Sequence, residues 1–92
     1  MKFIHEEYRI YLEDEKSNVV AEVNFPEDEN DKNVRKITRT FVDESLRGQG
    51  IANLLLEELA KDLRKNNLKC IPICSYAVNW FEKHEDQKDL LK

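Results

Sequence analysis

Apolar and polar positions alternate along the first quarter of the chain. Tyr8, Ile10 and Leu12 alternate with Arg9 and Tyr11, so residues about 2–12 predict a first strand. The acidic stretch from Glu13 to Asn18 supplies a turn. Val19, Ala21, Val23 and Phe25 then alternate with Val20, Glu22 and Asn24. That second strand closes a hairpin with the first, and the aromatic residues of both belong to the expected core. Pro26 stops the second strand, and the polar run from Glu27 to Asn33 predicts a loop. Residues about 34–42, rich in β-branched side chains, predict a third strand.

The period then changes from two to 3.6. A helix over about 50–66 buries Ile51, Leu54, Leu55, Leu59 and Leu63, with Ala52, Leu56 and Ala60 widening the stripe. Glu57 and Lys61 are spaced as an i,i+4 ion pair, and Arg64 and Lys65 suit the negative end of the helix. Residues about 68–74 predict a fourth strand. Pro72 has no N–H to give to a ladder, so one side of that strand is unpaired there. Ser75 is placed to cap a last helix over about 76–84, and Leu90 and Leu91 close the chain. The order β-β-β-α-β-α predicts an α+β fold: a mostly antiparallel sheet with one parallel crossover and two packed helices. Residues 1–92 are expected to form one domain.

Composition narrows the classes. With 40% hydrophobic and 37% charged residues the chain suits a soluble globular protein. A net charge of −4 argues against a general nucleic-acid binder. No apolar run is long enough to span a bilayer and no signal pattern opens the chain, so a cytoplasmic location without membrane partners is expected. The acids crowd into residues 1–33, which carry net −6, while residues 34–92 carry net +2. Cys70 and Cys74 share a strand face but lie on the order of 13 Å apart at about 3.3 Å per residue. That excludes a disulfide or a shared metal and leaves two independent thiols. His5 and His84 have no second ligand at metal spacing, so no metal is expected.

The chemistry concentrates where the third strand turns into the long helix, at Arg47-Gly48-Gln49-Gly50-Ile51-Ala52. A helix start leaves backbone N–H groups unpartnered under partial positive charge, and glycine lets an anion approach the backbone. The phosphate loop GxxxxGK[ST] is absent. The dinucleotide fingerprint fails too, because Asn53 stands where a small third residue is required.

What remains, R-x-x-G-x-A from Arg47 to Ala52, resembles the pyrophosphate loop of the GNAT (Gcn5-related) acetyltransferases. The segments ITRTFVDESLRGQGIA and IPICSYAVNWFEKH, the short length and the element order extend the likeness to nearly the whole chain. Within that superfamily the chain resembles the compact YjdJ-type proteins. The resemblance implies a small GNAT-like fold and acetyl-CoA or coenzyme A as cosubstrate. Backbone groups of Arg47, Gly48, Gln49, Gly50, Ile51, Ala52 and Asn53 would hold the pyrophosphate. Phe41 and Val42 would pair with the pantetheine arm like an added strand, with Ser75 near its end. Strands on either side of the long helix splay apart in such folds, and Pro72 stands where a splay is tolerated.

The chain departs from the pattern at its acid and base. Alignment of the last helix puts Phe81 where larger relatives carry a proton-donating tyrosine, and Arg39 replaces a histidine on the third strand. Neither side chain can do that work. Cys74, as acyl-pocket lining or nucleophile with Arg39 nearby to lower its pKa, and Tyr76, as a substitute acid, are the candidate catalytic residues. Trp80 and Phe81 read as core anchors. The leading function is acetyl transfer to an unidentified amine of a protein or small molecule. The alternative is a coenzyme-A-binding module or sensor without transferase activity. The oligomeric state is open.

Overall fold

The computed structural model describes residues 2–92. In chain order it contains β1 (Ile4–His5), β2 (Arg9–Glu13), β3 (Val19–Asn24), β4 (Val34–Ile37), β5 (Arg39–Val42), α1 (Ile51–Lys65), β6 (Lys69–Pro72) and α2 (Ser75–Lys83). Short 3₁₀ turns cover Glu44–Leu46 and Glu85–Leu90. A four-stranded antiparallel sheet runs β1-β2-β3-β5, and β4 pairs with β6 in parallel. The α+β order expected from the pattern is present, with α1 as the crossover.

Two expected strands are each divided. The first breaks because the Glu6 N–H donates to the Arg9 carbonyl at 2.8 Å, which folds β1 back onto β2. That turn exposes Tyr8, an expected core residue, whose hydroxyl donates to Glu27 at 3.0 Å. It also brings His5 onto α1, where its ring nitrogens meet Asp62 at 2.6 Å and Glu58 at 3.2 Å. Partial burial pulls the imidazole pKa down, but the hydrogen bonds and charges of the two carboxylates outweigh it and the net shift is upward.

The third strand breaks at a bulge. Lys36 donates to the Pro26 carbonyl at 2.8 Å and Thr38 to that of Asn24 at 3.1 Å, while Arg39 is also paired with Asn24. Two residues therefore face one, and the register slips by one position. An extra residue bends its strand and ends the ladder on the far side. Before the bulge, β4 lies against β6 from Val34–Lys69 to Ile37–Pro72. The pairing stops where Ile73 and Cys74 both donate to the Ile37 carbonyl, at 2.9 and 3.0 Å. After the bulge, β5 stays with β3, and among the described residues its other edge has no strand partner.

One face of the sheet is apolar and both helices share its core. Ile10, Leu12, Ala21, Val23, Phe25 and Ile37 meet Leu55, Leu56, Leu59 and Leu63 of α1 and Ala77, Trp80 and Phe81 of α2. Leu54 departs from expectation and is 40% exposed. The buried stripe continues from Leu55 toward Leu56, and at 100° per residue Leu54 falls on the opposite flank. Lys61 pairs with Glu58 at 3.2 Å, not with Glu57. The tail adds a bridge from Leu91 to Cys70, and Arg64 ties it down through Asp89 at 2.5 Å.

Candidate coenzyme site at the mouth of α1

The Asp43 side chain starts the approach to α1. It accepts from the Ser45 N–H and hydroxyl, and these bonds hold its carboxyl below the usual range. The resulting 3₁₀ turn ends at Arg47. Gly48 and Gly50 then take φ of +84° and +75°. A Cβ built on either would meet nothing within 4 Å, so conformation, not space, requires glycine at both positions. Gly50 is the residue before the first turn of α1, and no side chain caps that helix. The N–H groups of Ile51, Ala52 and Asn53 are thus left for an outside acceptor.

A cavity of about 140 Å³ lies over this turn. It gathers Val42, Arg47, Gly48, Gly50, Ile51, Ala52, Asn53 and Tyr76, and it adds Leu46, which sequence reasoning missed. Gln49 is exposed on the loop and does not line the cavity. Arg47 donates from Nε to the Val42 carbonyl at 3.3 Å. Among the described residues no carboxylate lies within ion-pair distance of its guanidinium.

The open edge of β5 runs into the same space. Asp43 donates to the Val20 carbonyl at 2.8 Å, in register with the Phe41–Glu22 pair. Alternation along an antiparallel ladder directs the backbone groups of Phe41 to β3 and leaves those of Thr40 and Val42 on the unpaired edge. The backbone groups on the open edge are therefore those of Thr40 and Val42, while those of Phe41 are turned to β3. A bulge shifts this parity, and a bulge belongs to two strands at once.

Across the splay, the Cys74 Sγ lies 3.5 Å from the Thr40 hydroxyl. Arg39 does not approach it. Arg39 and Thr40 project to opposite faces of β5, and the Arg39 guanidinium sits 3.3 Å from Glu22. The Arg39 charge is therefore held on Glu22, on the far face of β5 from Cys74. Cys74 also holds the N-cap position of α2 without a side-chain cap bond, and Ser75, expected as the cap, is the first helical residue. The Tyr76 phenol lines the loop cavity with its pKa raised by burial, so it keeps its proton at neutral pH. Phe81 is buried in the core.

One further contact reaches the loop from α2. The Trp80 indole N–H donates to Asn53 Oδ1 at 2.7 Å, and His84 stacks on the indole at 4.1 Å. With its oxygen engaged by Trp80, the Asn53 amide presents its NH₂ in another direction. Trp80 is therefore more than a core anchor. The two residues are 27 positions apart, and no sequence period connects them.

A family model for GCN5-related N-acetyltransferases matches residues 7–90. The chain belongs to that family. Among solved structures, it is 32% identical to a GCN5-like N-acetyltransferase from Staphylococcus aureus, with a TM-score of 0.78 over 99% of this chain and 87% of that one. The GNAT-family N-acetyltransferase YhbS from Escherichia coli, solved in complex with CoA, is 23% identical with a TM-score of 0.63. The Escherichia coli ribosomal-protein-S18-alanine N-acetyltransferase is 19% identical with a TM-score of 0.64. The match to YhbS covers 77% of this chain and 42% of that one; the match to the S18 enzyme covers 87% and 53%. At these identities the two enzymes support the fold alone, and the chain spans about half their length. No curated protein matches the chain. Among the described residues, no helix is long and apolar enough to cross a membrane.

Proposed function

We propose that the chain is an acetyl-CoA-dependent N-acetyltransferase that holds the coenzyme pyrophosphate on the Arg47–Ala52 loop and the first turn of α1. The observation that carries this reading is an uncapped helix start beside an unpaired strand edge. Two donors of different kinds, helix N–H groups and strand edge groups, meet in one space within a chain of this family. The backbone amides of Gly48, Gly50, Ile51, Ala52 and Asn53 take the anionic charge, and Arg47 and Gln49 flank it from the exposed side of the loop. Thr40 and Val42 pair with the pantetheine arm as an added strand, and Phe41 fixes that edge through β3. The thioester end then falls near Cys74 and the first N–H groups of α2 at Ser75.

Catalysis in this reading rests chiefly on holding thioester and amine together. The amine nitrogen attacks the carbonyl carbon, a C–N bond forms and the C–S bond breaks. The departing thiolate takes a proton from the hydroxyl of Tyr76, a residue that lines the loop cavity. Cys74 lines the acyl end. The acceptor is an amine of a small molecule or protein, and the acidic N-terminal third of the chain suits a cationic one.

Calorimetry with coenzyme A, followed by thiol release from acetyl-CoA with a panel of amines, tests the reading. Saturable binding with amide shifts centred on residues 40–42, 47–53 and 74–76, and amine-stimulated thiol release, are expected. No binding would overturn the site. Binding without stimulated release would favour a coenzyme-A-binding module.

A further inference from the structure

A second cavity, of about 330 Å³, lies between the β1–β2 turn and the C-terminal half of α1. Arg35 of β4 lines it and is only 9% exposed. Its Nη1 donates to the Lys32 carbonyl at 2.7 Å, and the Tyr8 ring lies 5.4 Å from its Cζ. Its Nε is buried without an acceptor among the described residues. Among the described residues no carboxylate stands within ion-pair distance of it, whereas Arg9, Arg39 and Arg64 each have one. A guanidinium cannot shed its charge by losing a proton, and an uncompensated buried charge is costly. Among the described residues, no carboxylate of the chain balances that charge.

The same cavity carries acids, but they are not aimed at Arg35. Glu6 is engaged by Arg9 at 2.6 Å and Asp62 by His5 at 2.6 Å, while Glu7 forms no ion pair. The cavity thus presents, among the described residues, a cation without a carboxylate partner in its wall and a carboxylate without a cation partner at its rim. Phe25, Leu59 and Leu63 supply an apolar side. A bare anion would face net negative charge here, and a bare cation would leave Arg35 unpaired. A short molecule with both charges satisfies each end.

We propose that this cavity binds a small zwitterionic α-amino acid, with its carboxylate on Arg35 and its ammonium toward Glu7. The site is separate from the coenzyme loop. Asp62 follows Asn53 by nine residues, about 14 Å along the helix axis at 1.5 Å per residue.

The test is a titration of the ¹⁵N-labelled full chain with L-alanine, propionate and ethylamine at fixed pH and ionic strength. L-Alanine should give saturable amide shifts centred on Arg35, Asn66 and Leu68. Propionate and ethylamine should each bind about tenfold more weakly, the loss expected for one charge-assisted contact. Glu7→Gln, at an exposed position, should weaken alanine binding by a similar factor and leave propionate unchanged. Arg35→Gln should weaken alanine binding by at least about tenfold, the loss of the same charge-assisted contact, while the rest of the spectrum is retained. Absence of a saturable alanine response in the wild-type chain would overturn the proposal, whatever the variants do. Equal binding of propionate, or shifts centred on the Arg47–Ala52 loop, would overturn it as well.

Discussion

The bulge at Thr38 divides one strand into two halves that behave in opposite ways. On the closed side, β4 is paired along both edges, Ile37 is fully buried, and Cys70 is sealed in the core. Burial, only partly offset by the Lys69 charge, pushes the Cys70 thiol up to about 12. On the open side, β5 has a free edge among the described residues, Thr40 and Val42 are half-buried, and Cys74 is half-buried beside the Thr40 hydroxyl. The arginines reverse the pattern: Arg35 on the closed side is buried without a carboxylate, and Arg39 on the open side is exposed and paired. Backbone satisfaction and side-chain satisfaction are thus distributed separately. The closed half spends its residues on stability, and the open half leaves groups unpaired for something outside the chain.

The sharpest test of that division is a core truncation on the closed side. Ile37→Ala should cost about 2–5 kcal/mol of unfolding free energy in urea. Coenzyme A affinity should stay unchanged for the fraction that remains folded, because the edge groups lie beyond the bulge. A loss of affinity in the folded protein would show that the two halves are not independent.

On the open side the largest effect belongs to the loop. Gly50 sits at φ +75°, a conformation that costs a β-branched residue about 1–3 kcal/mol. Gly50→Val should relieve that strain by rotating the backbone, which re-aims the first amides of α1. Coenzyme A affinity should then fall about ten- to a hundredfold. An unchanged affinity in calorimetry would remove the loop from the proposed site.

These two positions also mark how far the sequence could be read. The loop was legible because its information is local: an arginine, two glycines and a change of period all lie within a few residues. The α+β order was legible for the same reason. The bulge was not, since it exists only in the register of β4 and β5 against β3. Only that register shows that the Thr40 backbone, and not that of Phe41, lies on the open edge. Tyr8 and Leu54 were misplaced because period alone cannot tell which flank of a stripe meets a partner. The unpaired state of Arg35 depends on β1, β4 and α1 together, so no motif announces it.

A smaller effect is expected from the contact joining α2 to the loop. Trp80→Phe keeps an aromatic ring in the core but removes the donor to Asn53. One neutral hydrogen bond is worth about 0.5–1.5 kcal/mol, so coenzyme A affinity should drop about two- to tenfold. Asn53→Ala should cost a similar amount, and the double variant should add little to either. Purely additive losses would mean that Trp80 acts through the core and not through Asn53.

The smallest effect separates the two thiols, which lie four residues apart on opposite sides of the divide. Iodoacetamide at pH 8 should label Cys74 and spare Cys70, because Cys70 stays protonated and buried under native conditions. Coenzyme A should slow the labelling of Cys74 by covering the open edge. Yet Cys74→Ala, which removes one weak sulfur contact to the Thr40 hydroxyl, should change acetyl transfer by less than about twofold. The reason is geometric: the neighbour of Cys74 is the Thr40 hydroxyl, and the Arg39 guanidinium is turned to the opposite face, onto Glu22. A large fall in turnover together with an acetyl adduct on Cys74 in the mass spectrum would make that thiol a nucleophile. The open half would then take part in the chemistry as well as in holding the coenzyme.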